Sequence, residues 1–177
     1  FALGSEATFV ARTLDTDMKH MVETFKAAHA HKGTSFVEVF QNCVIFNDKT
    51  FESVTSREFK GDQLLVLKEG EPLVFGKEMD KGIKLNGLDP EIVSLGDGVS
   101  EEDLLVHQPG NPNSAYATIL AQMTHPAFPT PIGVLRQLQG RETYDEALCQ
   151  QVENARSQGE GNLQGLLTGK NSWVVEG

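Results

Sequence analysis

Short apolar runs and one clear helical period dominate the first fifty residues. Ala7–Val10, continued by Ala11, is an unbroken apolar stretch, the pattern of a strand covered on both faces. Met18, Met21, Val22, Phe25 and Ala28 then recur at i, i+3, i+4, i+7 and i+10, which predicts a helix over about Thr16–His31. Asp15 is placed to cap its start, and Asp17 suits the positive end of the helix dipole. His29, His31 and Lys32 lie at the other end, and Gly33 offers a left-handed stop. Thr34–Phe40 is rich in the aromatic and β-branched residues that suit a sheet. Strand, helix and strand form a β-α-β unit, so the two strands are expected to be parallel with a right-handed crossover.

The chain breaks at Gln41-Asn42, presents Cys43, and passes Val44-Ile45-Phe46 to a second turn signal at Asn47-Asp48. A thiol delivered from a polar turn at the carboxyl end of a strand lies where open α/β sheets hold ligands. The same thiol could instead be a small buried hydrophobe, the common fate of a lone cysteine.

Beyond Phe51 the pattern is one of short apolar pieces between turn signals. Leu64–Leu67 and Leu73–Phe75, separated by Lys68-Glu69-Gly70-Glu71-Pro72, predict a β-hairpin. Ile83–Leu85, Glu91–Ser94 and Leu104–His107 are weaker strand candidates, and together they suggest a small antiparallel appendage. Asn113–Thr124 predicts a helix stopped by His125-Pro126, and Pro126, Pro129 and Pro131 impose an extended path suited to wrapping over a neighbouring surface. Thr143–Arg156 predicts a second helix with Tyr144, Leu148 and Val152 in its stripe. Thr143 and Glu146 have capping-box spacing there. From Glu160 onward the chain is Gly-rich and is expected to be loosely held unless a partner covers Leu163, Leu166, Leu167 and Trp173.

Composition narrows the function classes. The 177 residues carry a net charge of −10, with no basic stripe to displace counterions, which argues against nucleic acid. No apolar run is long enough for a transmembrane helix, and no secretory signal opens the sequence, so no membrane association is expected. Two cysteines more than a hundred positions apart make no disulfide framework, and a reducing cytoplasm fits best. Gly169-Lys170 is not a phosphate-binding loop, because Gly165 is one residue too close and Asn171 replaces the metal-holding Ser or Thr. His29 and His31 are two apart on a helix and point away from each other, so they make no metal pair. His107 and His125 read as structural, and Cys149 as an incidental thiol.

The stretch Gly4–Phe51, with ATFVAR, AHAHKGTSFVEV and QNCVIFND, resembles the beta subunit of the 2-oxoacid:ferredoxin oxidoreductases, most of all the 2-oxoglutarate type. MTHPAFPTPIGVLR, Met123–Arg136, resembles a later part of the same subunit. The resemblance implies an α/β fold: part of a thiamine-diphosphate-binding parallel sheet, with the antiparallel appendage and carboxyl-terminal helices. Residues 1–60 would be half of that domain and 61–177 an extension packed on it. It implies oxidative decarboxylation of a 2-oxoacid to an acyl-CoA, with electrons leaving through a 4Fe-4S cluster to ferredoxin. The partners implied are the alpha subunit, ferredoxin, coenzyme A and the 2-oxoacid.

By the same resemblance Cys43 is one of four cysteine ligands of the cluster, and Asn47 could join the cofactor pocket, though capping a turn is its simpler role. No catalytic side chain is implied on these residues. Gly96-Asp97-Gly98 imitates the motif that holds Mg²⁺ in thiamine enzymes, but the region thirty residues on, Thr124-His125-Pro126-Ala127, lacks the closing Asn; it reads as a surface turn. The chain is therefore expected to be a carboxyl-terminal portion, inactive alone and without its own diphosphate and Mg²⁺ motif. A non-catalytic assembly module, with Cys43 as a core thiol and the proline stretch as its docking patch, is the alternative.

Overall fold

A computed structural model describes all 177 residues, Phe1–Gly177. They form two compact units, residues 1–141 and residues 142–177.

In the first unit the β-α-β expectation holds with shifted bounds: β1 is Phe9–Leu14, α1 is Met18–Ala30 and β2 is Ser35–Phe40. β1 and β2 pair in parallel, Phe9 opposite Ser35 through Leu14 opposite Phe40. Every residue of β1 is buried, including Arg12, and the strand runs past Ala11 to Leu14. Val10 and Arg12 face one side of the sheet and Phe9 and Thr13 the other, as the two-residue period of a strand requires.

The helix caps and faces differ from expectation. Asp17, not Asp15, caps α1, its carboxylate accepting from the His20 N–H at 3.1 Å. The apolar stripe faces outward: Met18 is 63%, Val22 42% and Phe25 47% exposed. A stripe of His20, Thr24 and His31, at i, i+4 and i+11, turns inward instead. His20 Nδ1 lies 2.8 Å from Thr13 Oγ1, Thr24 is buried, and His31 Nε2 lies 2.8 Å from Thr8 Oγ1. The His31 ring also packs on Phe9 at 5.4 Å. Small and imidazole side chains let the helix sit close, with His20 Nδ1 and His31 Nε2 partnered and His31 Nδ1 left buried without a partner.

Lys60–Gln63 (α3) follows the short helix Glu52–Thr55 (α2) and leads into β3, Leu64–Val66. The predicted hairpin does not form. β3 pairs in parallel with β7, Thr130–Gln137, while β4, Val74–Phe75, pairs antiparallel with β5, Lys81–Asn86. β5 and β6, Asp89–Ser94, make a hairpin around Gly87-Leu88, so the antiparallel appendage exists with different arms. Leu104–His107 adds no strand, but Leu105 bonds both Leu73 and Ile83. The larger sheet runs β2-β1-β7-β3 and the smaller β4-β5-β6.

The proline stretch is the largest correction. Thr130–Gly133 is buried and Ile132 fully so, which makes β7 an inner strand rather than an exposed docking patch. Pro131 is tolerated because it is the second residue of the strand. α4, Ser114–Gln122, is capped by Asn113 and lays Ala117 and Leu120 against Val10, Leu65, Leu73, Phe75, Ile83 and Leu135 in one core. That core ties the two sheets together, each fully buried leucine contributing roughly 1.5–3 kcal/mol.

In the second unit α5, Tyr144–Ser157, begins with the expected capping box between Thr143 and Glu146. A short helix follows, α6, Leu163–Thr168, with Leu163, Leu166 and Leu167 all exposed. No helix is long and apolar enough to cross a membrane.

Candidate functional site

The loop after β2 is built to hold one thiol outward. Cys43 and Asn47 form an antiparallel bridge, the Asn47 N–H donating to the Cys43 carbonyl at 3.0 Å. The turn between them carries Val44, Ile45 and Phe46, which are 73–89% exposed. Asn42 closes the loop's base, donating through Nδ2 to Asp48 Oδ1 at 2.9 Å and accepting the Lys49 N–H at 2.8 Å. Sequence reasoning gave Asn42 only a turn role; an Asn followed by Asp six residues on was the available signal.

Cys43 is exposed, which removes the reading of it as a core thiol. Backbone N–H groups of Phe46, then Ile45 and Asn47, hold its thiol below the usual range by stabilising the thiolate. Asn47 thus meets Cys43 through its backbone; its carbonyl accepts from Thr50 Oγ1 at 2.8 Å.

Beneath the loop, Phe40 at the end of β2 stacks on Phe51 with centroids 4.4 Å apart and planes 13° apart. The Arg12 guanidinium lies over the Phe40 ring, 5.0 Å from its centre. Arg12 Nε donates to Glu38 Oε2 at 2.7 Å and Nη2 to the Ala121 carbonyl at 3.2 Å, leaving Nη1 buried without a partner. A buried, paired cation and an aromatic stack therefore fix the strand end from which the thiol loop leaves.

The other candidates lie apart from this loop. Gly96-Asp97-Gly98 is a tight turn with positive φ at all three residues. His107 is buried, its Nε2 bonded to the Val134 carbonyl at 2.9 Å and its Nδ1 to the Tyr116 hydroxyl at 3.0 Å, a structural arrangement. His125 Nδ1 meets Gln63 Oε1 at 2.9 Å, and Cys149 is exposed on α5. No group of three or more His, Cys, Asp or Glu side chains is placed to hold a metal ion.

No protein-family model matches the chain. The 2-oxoglutarate oxidoreductase subunit KorB of Mycobacterium tuberculosis is 35% identical over 179 residues, 99% of this chain and 47% of that protein. The 2-oxoacid:ferredoxin oxidoreductase subunit beta of a Sulfolobus species is 42% identical over 64 residues, 36% of this chain and 21% of that one. Subunit beta of 2-oxoacid:ferredoxin oxidoreductase 1 from Aeropyrum pernix is 38% identical over 68 residues, 38% of this chain and 20% of that one. The chain spans about half the length of the first of these relatives and less of the others. A solved structure, 2-oxoglutarate:ferredoxin oxidoreductase from Magnetococcus marinus with 2-oxoglutarate, coenzyme A and succinyl-CoA bound, superposes with a TM-score of 0.52. It is 21% identical and covers 93% of this chain and 40% of that one, which supports the mixed α/β fold. The chain is thus a relative of the 2-oxoacid:ferredoxin oxidoreductase beta subunits, the family that its ATFVAR, QNCVIFND and MTHPAFPTPIGVLR stretches resemble.

Proposed function

We propose that this chain forms part of the beta subunit of an enzyme that oxidatively decarboxylates a 2-oxoacid, 2-oxoglutarate in the first instance, to an acyl-CoA. Electrons pass through a 4Fe-4S cluster to ferredoxin, and the alpha subunit completes the assembly. The observation that carries this reading is the 35% identity with a 2-oxoglutarate oxidoreductase subunit along 99% of the chain. In this reading residues 1–60 belong to the thiamine-diphosphate-binding α/β domain, and residues 61–177 form an extension of it.

Cys43 fits a cluster ligand in the chemistry it offers. Iron requires a thiolate, and three backbone N–H groups favour that form on an exposed loop tip. When bound, the cluster accepts and passes single electrons; three further cysteines must come from elsewhere. Asn47 supplies one of the N–H groups, Asn42 holds the loop closed, and Arg12 with Phe40 anchors its base. The residues here do not fit Mg²⁺ and the diphosphate: Asp97 stands alone on a turn with positive φ, and no oxygen-ligand set converges on it.

A reconstituted complete subunit with its alpha partner tests the reading. Ferredoxin reduction that depends on 2-oxoglutarate and coenzyme A is expected, together with loss of iron and sulfide in Cys43→Ser. Turnover without coenzyme A dependence would sink the activity; full cluster content in the variant would sink the ligand role.

The outward apolar stripe of α1 and the exposed Val44-Ile45-Phe46 turn favour a second, compatible reading in which these surfaces assemble with other protein.

A further inference from the structure

Arg136 has the largest fully buried side chain in the protein, and most of its hydrogen-bonding capacity is unused. Its Nη2 donates to Glu6 Oε2 at 2.9 Å and to the Pro112 carbonyl at 3.4 Å. Nε and Nη1 are buried with no partner. The same Glu6 carboxylate accepts from the hydroxyl of Ser114, the first residue of α4, at 2.9 Å, and lies 3.9 Å from Arg141 Nη2. Two guanidinium groups, one hydroxyl and the start of a nine-residue helix therefore converge on one carboxylate.

That carboxylate is poorly matched to the site. Glu6 enters from the solvent side with 53% of its side chain exposed and a backbone φ of +59°. It engages one nitrogen of a group whose planar fork suits two parallel bonds to an oxyanion. A guanidinium with two buried, unanswered nitrogens is costly, and a ligand with three free oxygens can answer more of them. A cleft of about 620 Å³ adjoins the cluster, sharing Pro112 and Arg141 with it. Glu69 also lines that cleft, so attraction for an anion comes from the arginine end alone.

We propose that Arg136, Arg141 and Ser114 form an oxyanion site that Glu6 occupies at rest, and that the phosphate group of a small molecule entering along the Pro112–Arg141 cleft displaces it. None of these groups belongs to the Cys43 loop, so the site stands whether or not Cys43 binds a cluster.

The test follows the side-chain Nε–H resonance of Arg136 in ¹H–¹⁵N spectra of the whole chain. Inorganic phosphate is titrated against chloride at equal ionic strength, with succinate as the carboxylate probe. A saturable shift with phosphate is expected. Glu6→Gln should tighten it about five- to tenfold by removing a like charge at hydrogen-bond range, and Arg141→Gln should weaken it about threefold. Arg141→Gln changes an exposed side chain and leaves the Arg136–Glu6 pair intact, so folding does not confound it. Glu6→Gln keeps an acceptor for the buried Arg136, and its dispersed spectrum without phosphate checks that it folds. A drift that matches chloride, saturation indifferent to both substitutions, or saturation by succinate alone would each overturn the proposal.

Discussion

Acidification from pH 7.5 to 5 should destabilise residues 1–141 through two buried histidines. His107 is 1% and His31 7% exposed, and burial holds both imidazoles below their ordinary pKa. At His107 the bond to the Val134 carbonyl and the charge of Glu69 pull the other way without reversing the direction. An unfolded chain takes up these protons near pH 6.5, whereas the folded one resists, so stability is present above that pH and is lost below it. Each withheld proton contributes at most about 1.4 kcal/mol per pH unit. These two alone give at most roughly 4 kcal/mol over this interval, against a typical stability of about 5–15 kcal/mol. Half-buried His20, which burial also holds below its ordinary value, acts in the same direction. The melting temperature should fall, by no more than roughly 8–16 °C for His107 and His31. Carboxylates held low in the same unit, Glu6, Asp62 and Asp103, lose their contribution only below the ordinary carboxylate range, so the windows separate. Urea unfolding at half-unit steps of pH measures the slope, and His107→Gln should flatten it. Equal stability at pH 7.5 and 5, or an unchanged slope in the variant, would refute the reasoning.

Two further expectations rest on single residues. Gly133 has φ +120°, and a Cβ there would meet the Leu67 carbonyl oxygen at 3.0 Å and the Leu67 Cβ at 3.1 Å. Gly133→Ala should therefore cost about 2–4 kcal/mol from backbone strain and overpacking together, visible as a lower urea midpoint with unchanged m. Alkylation of Cys43 by iodoacetamide, followed against pH in a Cys149→Ser background, should reach half its maximal rate below the value of about 8.5 typical of a free thiol; a midpoint at or above it would contradict the N–H-stabilised thiolate.

The β-α-β unit and α5 were legible because each carries its own local chemistry. A 3.6-residue period lies between two apolar runs, and a reciprocal pair at Thr143 and Glu146 marks a helix start. The Cys43 turn was legible from its polar flanks, and the family from three short stretches. Other features depended on which surface each element met. Periodicity located an apolar stripe on α1 but could not say that the sheet would take the opposite face. There His20 meets Thr13 of β1, Thr24 is buried and bonds back to the His20 carbonyl, and His31 meets Thr8 just before β1. Turn signals placed a chain reversal between β3 and β4, yet each strand found its pairing partner elsewhere, in β7 and β5. Prolines masked β7, since a strand that begins with Thr130-Pro131 loses only an early backbone donor. Nothing local marked Arg12 and Arg136 for burial, and only tertiary packing could bury them, because what offsets the loss of water is Glu38 and Phe40 for one and Glu6 for the other. Local sequence thus determined where elements begin, end and turn, while long-range contacts decided which faces are inside and which charges became interior.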